Sequence, residues 1–90
     1  MASSQQTGQS DGLAMIKQVV EYVVRSLVSA PEQVSIISEQ AEDKISLLIK
    51  VKESDQGKVI GKEGQTIKAI RALVRAINPT DRLILIDMAQ

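Results

Sequence analysis

The residues whose chemistry is most evident lie in one stretch of the sequence, GKVIGKEGQTIKAIR, from Gly57 to Arg71. This stretch contains three glycines in its first eight residues, three lysines and three isoleucines. Glycines let a backbone approach a ligand closely, and the amides at the start of a helix attract phosphate. The pattern is therefore typical of a phosphate-binding loop that leads into a helix. The phosphate would belong either to a nucleotide cofactor or to a nucleic-acid backbone.

A nucleotide cofactor does not fit the spacing of the glycines. A Walker A loop needs G-x-x-x-x-G-K-[ST], whereas three residues separate Gly57 from Gly61 and Glu63 stands where a magnesium-binding hydroxyl is needed. The dinucleotide fingerprint G-x-G-x-x-G after a strand is also absent. The chain has no histidine and no cysteine, and its carboxylates are scattered. The sequence therefore predicts no catalytic residue, no metal site and no cofactor, and the protein is not expected to be an enzyme.

A loop that holds a nucleic-acid backbone has fewer sequence requirements than a loop that binds a nucleotide cofactor. The remaining pattern is G-x-x-G, from Gly61 to Gly64, with Lys62 inside it and Lys58 close before it. Lysines supply positive charge, and the total charge balances at 11 basic and 11 acidic residues, so any affinity for nucleic acid must come from this local patch. The alternative is that the glycines serve only the geometry of a turn between two helices.

The first half of the chain predicts a helix followed by a β-hairpin. Apolar residues recur at helical spacing from Leu13, and the helix ends before Pro31, with Ser10 or Asp11 as its cap. A strand over 33–39, a turn over 40–43 and a strand over 45–52 follow. Alternation along the second strand predicts one buried face, made of Ile45, Leu47, Ile49 and Val51.

The second half predicts two helices around the glycine loop and a last strand. Ser54-Asp55 resembles the cap of a short helix that ends at Ile60, and a second helix spans 65–77. The apolar stripe of this second helix contains Ile67, Ile70, Val74 and Ile77, widened by Ala69 and Leu73. A strand over 82–88 closes the chain, and it must run parallel to the preceding strand because helices connect the two. The predicted fold class is α+β, in the order α-β-β-α-α-β, with a three-stranded mixed sheet and helices packed on one face.

At this point the sequence resembles a known family. The residues VIGKEGQTI, from Val59 to Ile67, match the signature V/I-I-G-x-x-G-x-x-I of KH domains at every defined position. The element order is similar to that of type II KH domains, and the size is similar to that of the small bacterial KhpA (YlqC) type. We therefore expect a single KH domain over 13–90. Residues 1–12 are polar, without the features of a signal peptide, and are expected to form a disordered tail of a cytoplasmic protein.

The resemblance also implies which residues contact RNA. Gly61 and Gly64 would clamp the backbone of a few unpaired nucleotides, presenting Lys62 and Glu63 between them. Gly57 and Ile60 would form one wall of the groove and Ile67 part of its floor, with Lys58 as a further cation. Lys68 and Arg71 are added as phosphate neighbours from their position beyond the loop, although a basic face such as Lys68, Arg71 and Arg75 is more often just solvated surface. Glu63 would cap the next helix, set partner preference or weaken RNA binding.

The expected function is binding of single-stranded RNA, with low specificity and salt-dependent affinity. One aromatic residue, Tyr22, cannot provide the stacking platform of other RNA-binding modules. The resemblance implies a homodimer, or a complex with a larger KH-containing partner of the Jag/KhpB type, in post-transcriptional regulation linked to cell elongation and division. The alternative is a protein-interaction module for dimerisation with little RNA binding of its own. No membrane association is expected, since no apolar run approaches ~18 residues.

Overall fold

Three helices and three strands follow one another in the order that the sequence predicts. The computed structural model describes residues 8–89, with side chains from residue 12 onward. The helices are α1 (Gly8–Leu27), α2 (Gln56–Ile60) and α3 (Gln65–Ile77), and the strands are β1 (Ser35–Gln40), β2 (Lys44–Lys50) and β3 (Leu83–Met88). Short 3₁₀ turns span Pro31–Gln33, Glu53–Asp55 and Lys62–Gly64. The predicted order α-β-β-α-α-β is confirmed.

The central strand of the sheet is β2, with β1 on one side and β3 on the other. β1 pairs with it in antiparallel register, with Ser35 opposite Lys50, whereas β3 runs parallel to it, with Leu83 opposite Lys44. A parallel pair needs a crossover connection, and here that connection consists of α2, the glycine loop and α3. The mixed three-stranded sheet predicted from the sequence is therefore confirmed.

The core lies between one face of this sheet and the helices. Ile45, Leu47 and Ile49 of β2 are completely buried, as the alternating pattern predicts. The helices cover them with buried aliphatic residues spaced along their inner faces: Ile16, Val20, Val24, Val59, Ile67, Ile70 and Val74. None of the helices within residues 8–89 lies against the opposite face of the sheet, and Ile37, Leu83 and Leu85 are 41 to 56% exposed there. The helices therefore pack on one face, as predicted.

The start of α1 and the bounds of all three strands differ from the sequence prediction. β2 spans Lys44–Lys50 and not 45–52, and β3 begins at Leu83 and not at residue 82. α1 begins at Gly8, so Ser10 and Asp11 lie inside the helix backbone and not at its cap position, while their side chains lie outside those described. Residues 1–7 of the expected tail also lie outside the described residues. β1 begins at Ser35 and not at residue 33, because Pro31 fixes its backbone angle for the 3₁₀ turn that precedes the strand.

The apolar stripe of α3 is narrower than predicted. Ile67, Ile70 and Val74 are buried, Ile77 is half-buried, and both Ala69 and Leu73 are exposed. The helix rests on the sheet along a single line of contact, so residues at the edge of the stripe face solvent. Among residues 8–89, no helix has the length and apolar character needed to cross a bilayer.

Truncation of Leu47 tests the central role of β2. Leu47→Ala is expected to lower the free energy of unfolding by ~2–5 kcal/mol, because the side chain is 0% exposed and leaves a cavity. The matched control is Leu85→Ala on β3, whose side chain is 41% exposed on the open face and should lower it by less than about 1 kcal/mol. Urea unfolding followed by circular dichroism measures both, and equal losses would contradict this assignment of the core.

Candidate functional site

A buried carboxylate fixes the position of α2, the short helix that leads into the glycine loop. The side chain of Asp55 is 1% exposed. Its Oδ1 accepts hydrogen bonds from the backbone N–H of Ser29 at 3.1 Å and from the Ser29 hydroxyl at 2.8 Å, and its Oδ2 accepts one from the Ala30 N–H at 3.1 Å. These three donors lie just after α1, so Asp55 ties the end of α1 to the start of α2.

The prediction that the Asp55 side chain caps α2 is therefore wrong, because its hydrogen bonds go to other residues. Asp55 occupies the N-cap position of α2, but its side chain makes no capping hydrogen bond to that helix. The carboxylate instead accepts hydrogen bonds from backbone N–H groups in the segment that follows α1. The Ser29 N–H is the main cause that lowers the pKa of Asp55 to about 2; burial opposes the shift, and the Ser29 hydroxyl, the Ala30 N–H and Lys58 reinforce it.

Lys58 is held by the same carboxylate. Its Nζ lies 3.4 Å from Asp55 Oδ1, and its side chain is 53% exposed. The ammonium group is thus oriented along α2 while most of its surface stays open to solvent. Because half of the Lys58 side chain is exposed, its ammonium group can bind an anion from solvent while it stays near Asp55.

The glycine loop itself has an unusual backbone. Gly61 has φ 80° and ψ 171°, Glu63 has φ 56° and ψ 27°, and Gly64 has φ 73° and ψ 15°. The Gly61 N–H donates to the Gly57 carbonyl at 2.8 Å, and the Gly64 N–H donates to the Gly61 carbonyl at 3.0 Å. The loop is a tight, internally bonded turn, and Glu63 is its one residue with a side chain in the left-handed region.

The glycines of the stretch have different reasons to lack a side chain. A Cβ on Gly61 would lie 2.7 Å from Thr66 Cβ and 2.8 Å from the Thr66 backbone nitrogen, so nothing larger fits. A Cβ on Gly64 would meet only Lys68 Cε at 3.9 Å, so the positive φ alone favours glycine there. A Cβ on Gly57 would meet nothing within 4 Å. The fold does not require glycine at position 57, where the bare helix surface stays accessible.

The charged residues of the loop point outward. Lys62 and Glu63 are both exposed, and neither forms an ion pair with any of residues 12–89. Among the described residues no side chain caps the start of α3, although the N–H of its first residue, Gln65, already donates to the Lys62 carbonyl. The positive end of the helix dipole at this point favours an anion. Lys68 is exposed one turn into α3 and lies beside Gly64. The structure thus brings Lys62 and Lys68 to the same end of α3.

The other predicted site residues divide into two groups. Ile60 is 38% exposed at the end of α2, whereas Ile67 is 6% exposed and belongs to the core cluster. Arg71 is engaged elsewhere: its Nε donates to the Ile86 carbonyl of β3 at 3.0 Å, and its Nη2 lies 4.0 Å from Asp87. Arg75 is exposed. Of the basic residues on α3, Lys68 is therefore the one that stands next to the loop.

Two features of the site escape local sequence patterns. The contacts of Asp55 with Ser29 and Ala30 span more than twenty residues, and Thr66 was not singled out although it packs against Gly61.

A cleft of about 500 Å³ between α1 and β1 is lined partly by Leu13, Lys17, Ser38 and Arg82, none of which belongs to the glycine loop. No group of residues within the described part of the chain could hold a metal ion.

Most of this sequence is similar to sequences of known proteins. Residues 17–82 match the family model for the KH domain of KhpA/KhpB. The chain is similar to the RNA-binding protein KhpA of Clostridium perfringens, with 46% identity over 61 residues that cover 68% of this chain and 81% of the relative. It is 43% identical to that of Bacillus subtilis over 61 residues, covering 68% and 75% respectively. It is 35% identical to that of Thermotoga maritima over 75 residues, covering 83% of this chain and 100% of the relative.

Alanine at each glycine of the stretch should give three different results. Gly61→Ala is expected to lower the free energy of unfolding by more than about 2 kcal/mol, because strain and a clash combine. Gly64→Ala should lower it by about 1–2 kcal/mol through backbone strain alone. Gly57→Ala should raise it by ~0.5–1 kcal/mol, because alanine favours a helix more than glycine does. Thermal and urea unfolding measure all three, and a destabilising Gly57→Ala would contradict the open space found there.

Asp55 should make the free energy of unfolding decrease at low pH. Its pKa in the folded state is about 2, below the ordinary value of 3.8, so its stabilising contribution is present above pH 4 and is lost as the pH falls towards 2. Asp55→Asn keeps one accepting oxygen but replaces the other by an NH2 group, which faces either the Ser29 donors or the Ala30 donor, and the variant should be less stable at neutral pH. The variant should also lose less stability than the wild type between pH 4 and pH 2.

The control for this comparison is Asp43→Asn, which removes one carboxylate at an exposed turn. Urea unfolding at several pH values measures the three proteins. An Asp55→Asn variant whose stability falls with acid as steeply as that of the wild type would refute the assigned role of the carboxylate.

Proposed function

This chain belongs to the KhpA/KhpB family of KH domains, and from that premise we propose that it binds single-stranded RNA through the glycine loop. The relatives are named RNA-binding proteins, and the family is not one of enzymes, so the chain is not an enzyme. Its activity consists of holding RNA and presenting it to other molecules. We place this activity in the cytoplasm.

One observation carries the proposal: the backbone of Gly61 to Gly64 turns so tightly that Lys62 and Glu63 project into solvent between two helix ends. The chain can therefore approach a sugar-phosphate backbone without Cβ atoms in the way at either glycine. The uncapped start of α3 adds amide donors and a favourable helix dipole. Such a clamp holds about four unpaired nucleotides in KH domains.

The charges around the loop set the affinity. Within residues 12–89, Lys62 and Lys68 are exposed cations at this end of α3 that form no ion pair, and Lys58 is paired with Asp55. With so few phosphate contacts, binding by one copy should be weak, and it should weaken further with salt by a logarithmic slope of about 0.7 per phosphate. Glu63 opposes phosphate, and its negative charge between the glycines favours a loose, sequence-tolerant clamp.

The weakness of a single site supports action in pairs. Two linked sites on one RNA bind more tightly than either alone, because the second contact becomes intramolecular. We therefore propose that the protein acts as a homodimer, or with a larger partner of the Jag/KhpB type that carries its own KH domain. In that assembly it would contribute to post-transcriptional regulation linked to cell elongation and division.

A second function, a protein-interaction module with little RNA binding, is favoured by the open face of the sheet. Ile37, Leu48 and Leu85 share this face because their positions alternate with the buried ones in the strand register. Leu83 on the same face is 56% exposed. Asp87, Ser46 and Lys44 lie opposite Leu48, Leu85 and Leu83 on this face, so aliphatic and polar groups alternate there. A partly apolar sheet face without a covering layer is typical of a site that contacts another protein. The RNA-binding experiment below separates the two functions.

Charge reversal at Lys62 tests the clamp. In the double variant Lys62→Asp and Glu63→Asp, the second change keeps the negative charge and suits the left-handed backbone at that position. The variant is expected to lose at least tenfold in affinity for short unstructured RNA oligonucleotides, because a cation facing phosphate becomes an anion. Fluorescence anisotropy at two salt concentrations measures binding, and circular dichroism checks that the fold is intact.

The matched control is Lys44→Asp, which reverses the same charge at the opposite end of β2, next to Leu83. It should change affinity much less than the loop variant and only through the general electrostatic field. If wild type and loop variant bind RNA equally well, the glycines serve only the turn. If the wild type binds no RNA even at high protein concentration, the protein-interaction function takes precedence.

A further inference from the structure

The outer edge of β1 carries backbone groups that no strand in the described part of the chain pairs. β2 lies on the other side of β1, and the Ala41 N–H donates to the Lys44 carbonyl at 2.8 Å where the two strands meet at their turn. Because hydrogen-bonded pairs alternate along antiparallel strands, the odd-numbered residues of β1 bond to β2. The N–H and C=O groups of Ile36, Ser38 and Gln40 therefore point away from the sheet.

A cleft borders this edge. It lies between α1 and β1, has a volume of about 500 Å³ and is lined on the strand side by Ser38 and Gln40. These two residues face the helices, because they stand opposite the buried Leu47 and Ile45 in the strand register. Leu13 of α1 contributes an apolar part of the opposite wall. An open strand edge of this kind is a site where an extended peptide adds as a further strand.

The cleft carries positive charge that residues 12–89 do not pair with a carboxylate. Lys17 and Arg82 both line it and are half-buried, and neither forms an ion pair within this range. The Arg82 guanidinium donates instead to neutral acceptors, the Ala41 carbonyl at 3.1 Å and the Gln40 Oε1 at 3.2 Å. The cleft therefore holds two partly desolvated cations next to an open strand edge.

The carboxylate that also lines the cleft is engaged elsewhere. Glu21 Oε2 lies 3.2 Å from Arg25 Nη2, one turn further along α1. Partly buried charges are unfavourable without a counter-charge, so the electrostatics of the cleft favour an acidic ligand. A small anion would match the cations but would leave the strand edge unpaired. An extended acidic peptide matches both the cations and the outward backbone groups.

We propose that the α1–β1 cleft binds an extended acidic peptide segment of another protein, which adds to β1 as a fourth strand. The peptide backbone pairs with the outward groups of Ile36, Ser38 and Gln40, and its acidic side chains face the helices near Lys17. Its other side chains lie beside Ile37, which is 41% exposed on the opposite face. The end of the sheet with Gln40 is where β2 begins, whereas the glycine loop follows the end of β2. The inference is therefore independent of RNA binding at the loop.

Nuclear magnetic resonance of the full ¹⁵N-labelled chain tests this proposal by titration with a probe peptide. The probe is an acetylated and amidated heptapeptide in which valine and glutamate alternate, and its control carries glutamine in place of every glutamate. Main-chain pairing supplies much of the recognition, so the probe does not need the sequence of a natural partner. The amides of Ile36, Ser38 and Gln40 should shift and exchange more slowly with water, whereas those of Gly61 and Gly64 should stay unchanged.

Three variants separate the contributions of the edge and of the charge. Ser38→Pro removes one outward N–H, a change that edge strands tolerate, and should lower the affinity for the glutamate peptide about fivefold or more. Lys17→Gln leaves the strand intact and should lower it about three- to tenfold. Lys52→Gln is the matched control, because Lys52 is exposed and does not line the cleft, and it should change the affinity little. Circular dichroism checks the fold, and Lys17→Gln alone decides if Ser38→Pro unfolds.

Four results would overturn the proposal. The first is the absence of any shift at millimolar glutamate peptide, and the second is equal affinity for the glutamate and glutamine peptides. The third is a set of shifts that acetate alone reproduces, since the cleft would then bind small anions without strand addition. The fourth is slow exchange of the Ile36, Ser38 and Gln40 amides in the free protein together with a dimer in analytical ultracentrifugation, since a second copy would then occupy the edge.

Discussion

Burial of the aliphatic face of β2 is the interaction on which the rest of the molecule depends. This strand is flanked by β1 and β3 and covered by the helices, so Ile45, Leu47 and Ile49 lose all contact with water. Because β3 must run parallel to β2, the chain has to leave one end of the sheet and return to the other. The glycine loop lies within that return path, between α2 and α3. Its location is thus a consequence of how the sheet is completed.

A second constraint is the buried charge of Asp55, which an aliphatic core would not tolerate without partners. Its carboxylate binds two backbone amides and one hydroxyl after α1, and it also holds Lys58 on α2. α2 has only five residues, too few to be stable alone, so its orientation comes from this anchor and from burial of Val59. The position of the loop therefore depends on the contacts of Asp55 with the segment after α1 and on the burial of α2. The RNA clamp that we propose would benefit from such support, since a backbone already in place before the ligand arrives lowers the cost of binding.

Much of the fold and the loop could be predicted because the signals are local. The spacing of Ile67, Ile70 and Val74 marks α3, and the glycines at 61 and 64 mark two of the three positions of the turn with positive φ, the third being Glu63. The partners of Asp55 and Arg71 could not be predicted in the same way. Each joins groups far apart in the chain, and the partners of each include a backbone group that any residue type carries. The start of α1 at Gly8 was also missed, because a capping signal a few residues later suggested a later beginning.

The parallel pairing of β2 and β3 also has a consequence for how the protein emerges from the ribosome. Lys44 pairs with Leu83, so one side of the central strand has no neighbour until the whole crossover and β3 have been translated. A nascent chain that ends in α3 already contains the glycine-loop sequence, but it lacks the carbonyl of Ile86 that holds Arg71. Contacts between such distant segments form late and slow the folding of small domains. The sheet, and with it the contact that holds Arg71 beside the loop helix, is therefore completed only after β3 has been synthesised.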